Sequence, residues 1–196
     1  DSATTSTLSL SSWSTHPRKL VIKLERCIGL SQTSIFIQDI MTCSNSSITK
    51  FKVGTGNHQY ASMFFKQTMN KPLGVVGLNP SVFKNGKNAT ITILMDIAER
   101  EGFDSLFVTN LYSYISTDPK KLKEVVAYDK ENDIWIKRMS EQCNKVLCIW
   151  GNNGEESRIQ EVFPNIAKKA YAIGLTKSGR PRHVLHTKKD TKLIKL

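Results

Sequence analysis

The sequence predicts an α/β fold: a three-layer α/β/α arrangement around a central, mainly parallel four-stranded sheet, preceded by a β-containing extension. Three observations carry this. Four short stretches are apolar without interruption, the mark of strands covered on both faces. Segments with helical spacing of apolar residues separate them. The chain has 196 residues, enough for one such core with little left for a second domain.

The strands are predicted at 73–78, 105–109, 145–150 and 170–174. Between the first two, NATITILMDIAEREGF sets Ile91, Leu94, Met95 and Ala98 on one helical face, with Gly102 as the stop. In STDPKKLKEVV, Asp118 is a good N-cap and Pro119 a good first helical residue. In ENDIWIKRMSEQC, Trp135 and Met139 share a face, and Ile159, Val162 and Phe163 form a stripe in EESRIQEVF. These large side chains are expected to be core.

Upstream, LVIKL and SIFIQDI read as strands, with a polar turn at 43–47, and QYASMFFKQTM reads as a helix leading into the sheet. The division expected is a Ser/Thr-rich, flexible start over 1–17, an extension packed on the core over 18–70, and the core with a basic loop and tail over 71–196. Gly54-Thr55-Gly56 does not continue as a dinucleotide fingerprint.

The formal net charge is +11, which points to a polyanionic partner, nucleic acid first. From Lys168 to the end there are nine Lys or Arg against a single acid, Asp190. Gly174, Gly179 and Pro181 break that run, so a shaped basic loop is expected in place of a plain solvated tail. Cys27, Cys43, Cys143 and Cys148 show no metal-ligand spacing. No apolar run is long enough to span a membrane, and the start lacks the basic region of a signal peptide. A cytoplasmic monomer with neither metal nor cofactor is the expectation.

An open parallel sheet binds ligands beyond the carboxyl ends of its strands. The four exits read Asn79-Pro80-Ser81, then Asn110 to Tyr114, then Gly151 to Gly154, then Thr176 to His183. They offer amides, hydroxyls, two tyrosines and a basic loop, but few carboxylates and no Cys. That argues against metal-assisted hydrolysis, paired-carboxylate chemistry and a Cys nucleophile. A triad of Ser81, His183 and Asp118 lacks the G-x-S-x-G elbow that would support it. What remains is a site that reads a heteroaromatic ring through amides and holds phosphates with cations. Singly, each feature has an ordinary explanation: Asn-Pro opens turns, Asn110 suits a helix cap, and His183 suits a solvated surface.

In order, the exits resemble the motifs of the uracil-DNA glycosylase superfamily. GLNPS resembles G-I-N-P-G of its mismatch-specific branch, and VTNLYSY resembles the classical L-L-N-T-V-L-T. KVLCIWGNNGEE resembles V-L-L-W-G, and RPRHVL resembles the terminal H-P-S-P-L-S loop. Over roughly residues 50–187 the chain is also similar to a bacterial and phage family built on L-N-P-S, T-D-P, E-N-D, W-G and T-K-x-G-x-P-R-H.

The resemblance implies a glycosylase-like fold, DNA as partner and a flipped base as substrate. Asn79 would orient the attacking water, with His183 and Arg180 stabilising the leaving base. Gly77, Leu78, Pro80 and Ser81 would shape the pocket, Asn110 would read the base, and Phe83, Tyr112 or Tyr114 would stack on it. Lys177, Ser178, Arg180, Arg182 and Lys188 would hold DNA, and Leu185 would wedge the stack. Two departures stand out. Ser81 replaces a glycine, and Arg180 holds the terminal-motif histidine's position with His183 three residues later, so the preferred base need not be plain uracil. A non-catalytic nucleic-acid-binding module and a nucleotide or nucleoside hydrolase are the alternatives.

Overall fold

The computed structural model describes residues 35–43, 46–80, 88–188 and 190–196. Eight strands form one mixed sheet: β1 (Ile35–Cys43), β2 (Ser46–Thr55), β3 (His58–Phe65), β4 (Pro72–Gly77), β5 (Ser105–Asn110), β6 (Val146–Cys148), β7 (Ala170–Ala172) and β8 (Ile194–Lys195). The spatial order is β1-β2-β3-β5-β4-β6-β7-β8. β5, β4, β6 and β7 pair in parallel. β1, β2 and β3 add antiparallel at one edge, through β3 on β5, and β8 adds antiparallel at the other.

The sheet is therefore mixed and wider than the four strands expected. The difference is largest at 58–65. From the sequence, QYASMFFKQTM reads as a helix leading into the sheet. It is instead strand β3, with five consecutive residues buried. Flanked by β2 and β5, the segment is covered on both faces, and continuous burial erases the alternation that identifies a strand. LVIKL lies outside the described residues.

Helices cover both faces. α1 (Ala89–Arg100) begins at Asn88, whose Oδ1 accepts the Ile91 N–H at 3.2 Å. It buries Ile91, Leu94 and Ile97 against Leu73, Val75, Leu106 and Leu147. Each such side chain contributes about 1.5–3 kcal/mol on burial. On the other face, α2 (Lys130–Gln142) buries Trp135, Ile136 and Met139 against Val76, Phe107 and Val146. α3 (Glu156–Val162) joins that cluster through Ile159 and Val162. The Asp118-Pro119 signal opens a 3-10 turn, Pro119–Lys123, capped by Asp118. No helix among the described residues is long and apolar enough to cross a membrane.

The basic C-terminal stretch is shaped, as the sequence predicts. Thr176 N–H bonds Arg180 O, Arg182 N–H bonds Gly174 O, and the chain returns to pair β8 with β7.

Candidate functional site

The carboxyl ends of β4, β5 and β6 open on the α1 face into a cavity of about 470 Å³. Its lining includes Gly77, Leu78, Asn79 and Pro80 from the first exit, Asn110 from the second, and Trp150 to Asn153 from the third. The basic loop adds Thr176, Arg182, His183 and His186. The exits are stitched together by backbone hydrogen bonds: Leu111 N–H to Gly77 O, Tyr112 N–H to Leu78 O, and Gly151 N–H to Pro181 O, each 2.9 Å.

Asn79 is locked into this seam. Its Nδ2 donates to Ser116 O at 2.7 Å and to Pro80 O at 3.1 Å, while Ser116 N–H returns to Pro80 O at 3.0 Å. Two carbonyl partners require the amide nitrogen on that side, so Oδ1 is the atom left to accept a hydrogen bond. Pro80 has no N–H to offer a competing turn, and it is buried.

Asn110 is 6% exposed, and its side-chain amide has no hydrogen-bond partner among the described residues. It pairs in register with Gly77, and a Cβ on Gly77 would lie 2.5 Å from Asn110 Oδ1. Behind it, the fully buried Asn132 donates from Nδ2 to Asn110 O (3.2 Å) and Leu111 O (3.0 Å). Arg158, also buried, donates from Nε to Leu111 O at 2.9 Å and pairs with Asp133 and Glu161. Asn132 and Arg158 are thus the residues that hold the second exit. Asn132 stood in view in the E-N-D motif, but nothing local in the sequence says that its amide serves Asn110.

His183 caps the 3-10 turn Val184–His186, with Nδ1 accepting the Leu185 N–H at 3.3 Å. In the neutral ring the proton then sits on Nε2. Burial, with a smaller contribution from His186, pushes its pKa below the ordinary histidine value.

Other expected contributors are elsewhere. Arg180 is outside the cavity lining and forms an ion pair with Glu156. Lys177 is exposed, and Ser178 bonds Asn152 Oδ1 at 2.9 Å, also outside the lining. Tyr112 is buried against the other cluster, where its hydroxyl accepts the Glu155 N–H at 3.2 Å. Tyr114 stands edge-on to His58, with ring centroids 5.8 Å apart. Neither tyrosine lines the cavity; among the described residues the rings that do are Phe64, Trp150, His183 and His186. Leu185, in the Val184–His186 turn, is 49% exposed, and Lys188 beyond it is exposed; neither lines the cavity. Ser81 and Phe83 lie outside the described residues. No group of His, Cys, Asp and Glu that would hold a metal ion occurs among the described residues.

β3 also contributes Gln59, Ser62 and Phe64 to the lining, from a segment whose expected helical form hid them. An antiparallel strand brings its beginning, not its end, to the exits of the parallel strands.

A family model described as "Protein of unknown function (DUF1643)" matches residues 63–185. No curated protein gives a significant match. A solved structure from Bacteroides fragilis NCTC 9343, provisionally described as an acetyl xylan esterase, is similar at a TM-score of 0.38 and 11% identity. The likeness covers 87% of this chain and 60% of that one, so the chain spans about three fifths of that protein's length. A resemblance this remote carries no argument about activity.

Proposed function

The chain belongs to the DUF1643 family, whose members are described only as being of unknown function, and from its cavity we propose that it is a monofunctional DNA glycosylase. The substrate is a modified or mismatched pyrimidine flipped out of DNA, and the product is an abasic site. The observation that carries the proposal is the convergence of Asn79, Asn110 and His183, from three separate strand exits, on one cavity beside a basic loop.

The roles follow from which atoms are spent. Asn110, whose side-chain amide has no hydrogen-bond partner among the described residues and which lines the cavity, reads the edge of the base. Asn79 has its nitrogen tied to the loop, so its oxygen orients a water. His183, neutral because its pKa is lowered, donates from Nε2 to the departing base. The water oxygen bonds to C1′ as the C1′–N bond breaks. The bond's electron pair leaves with the base, which finally takes the water's proton. With no carboxylate among the described residues that line the cavity, the water is not activated by a general base of that kind and turnover is slow. Arg182 at the cavity, with the exposed Lys177 on the basic loop and Lys188 beyond the Val184–His186 turn, holds phosphates. Arg180, paired with Glu156, tethers the loop and leaves the donor role to His183. Excision of modified bases from phage DNA, or repair, is the setting in which such chemistry serves a cell.

The test is incubation with DNAs carrying a panel of modified bases, followed by alkaline cleavage at abasic sites. Cleavage that disappears in Asn79→Ala and Asn110→Ala supports the proposal. Salt-sensitive DNA binding with no base released from any substrate makes the protein a nucleic-acid-binding module instead, and turnover of free nucleosides alone makes it a small-molecule hydrolase.

A further inference from the structure

We infer that Gln59 is a specificity-determining residue, and that it selects a pyrimidine whose ring substituent carries an O–H or N–H donor; this rests on the glycosylase reading above. The starting observation is a fault in the β2–β3 ladder. Lys52 pairs with Ser62 and Val53 with Ala61, but the next residue, Gly54, pairs with Gln59. Tyr60 is the extra residue of a β-bulge.

The bulge re-aims a side chain. Along an unbroken strand, Gln59 would share a face with Ala61 and Met63, and Tyr60 would share one with Ser62 and Phe64. Instead Tyr60 is buried in the same cluster as Ala61 and Met63, where its hydroxyl donates to Asp129 at 3.0 Å. Gln59 joins Ser62 and Phe64 in the cavity lining. The opposing residue admits no side chain: a Cβ on Gly54 would lie 2.2 Å from His58 O.

Gln59 Nε2 donates to Ser62 Oγ at 2.9 Å, and Oε1 has no partner among the described residues. An open acceptor in a partly buried wall favours a ligand that brings a donor, because an apolar group there would leave the oxygen unsatisfied. Asn110 already covers one edge of the ring, and an unsubstituted pyrimidine fills only a fraction of about 470 Å³. The remaining room and the Gln59 oxygen together fit a hydroxylated ring substituent.

The experiment uses the full chain and matched oligonucleotides that differ only in the hydroxyl: 5-hydroxymethyluracil against thymine, and 5-hydroxymethylcytosine against 5-methylcytosine. The wild type is expected to release the hydroxylated member of a pair at least about tenfold faster. Gln59→Met, which keeps length and removes the acceptor, reduces that ratio toward one. Gln59→Glu, which keeps an acceptor, retains the preference and serves as the second variant should Gln59→Met fold poorly. Release of a base with the same ratio in wild type and Gln59→Met overturns the role of Gln59 and leaves the glycosylase reading standing. Release of no base from any oligonucleotide removes the glycosylase reading, and this inference with it.

Discussion

Asn110 Oδ1 occupies the space that a side chain on Gly77 would need, with the two residues facing each other across the parallel pair β4 and β5 at 2.5 Å from the position of a Cβ. The absent side chain at Gly77 is thus what allows Asn110 to lie over the strand exit. Gly77→Ala is expected to alter stability by no more than about 1 kcal/mol, since the Asn110 amide has no bond to lose and can swing away. The same displacement is expected to lower turnover of a cleavable DNA about a hundredfold. Thermal melting and single-turnover kinetics on the same preparation check the split.

Asn132 is expected to behave in the opposite way, as a residue that stability cannot spare. Asn132→Ala removes the donor to Asn110 O and one of two donors to Leu111 O, all fully buried, at a cost of roughly 1–3 kcal/mol. Asn132→Asp costs more, because an acceptor then faces two carbonyl oxygens. Urea denaturation curves with unchanged slope give both values.

His183 ties stability to pH. Its folded-state pKa is lowered, first by burial and then by His186, from an ordinary value of 6.5. Above that value the ring is neutral folded or unfolded and contributes nothing. As pH falls below it, the unfolded chain takes up a proton that the folded chain refuses, so stability declines until the folded pKa is passed. His183→Asn keeps a capping side chain at the Val184 turn and removes the titration. The variant is expected to lose less melting temperature than the wild type between pH 7.5 and pH 5.

Cys143 and Cys148 are fully buried, and burial pushes the Cys143 thiol up to about 12 and that of Cys148 higher still. The thiolate is the reactive form. A thiol reagent is expected to label neither residue in the native protein at neutral pH and both after denaturation. Peptide mapping by mass spectrometry reads this directly, and rapid native labelling at either position contradicts the buried placement.

Much of the architecture was legible because its signals are local. Ile91, Leu94, Met95 and Ala98 repeat at helical spacing and all are buried. The apolar runs at 73–78 and 105–109 are covered on both sides, and Asp118 caps the turn it announces. The exits were legible for the same reason, since an abrupt change from apolar to Asn-Pro marks a strand's end. Asn79, Asn110, Arg182 and His183 do share one cavity.

What the chain alone could determine was therefore periodicity, strand ends and where the charge lies. Which side chains face the cavity depended on partners distant in sequence. Tyr112 belongs to the exit motif yet turns to the far face, where the Glu155 N–H holds its hydroxyl. Arg180 is taken by Glu156, which a reading of the basic loop in isolation cannot foresee. Gln59 sits in a segment whose composition imitates a helix, and only the register slip between β2 and β3 turns it inward. Local patterns record the average burial of a segment. Register, bulges and long-range ion pairs decide the facing of single residues, and those exist only once the strands have met.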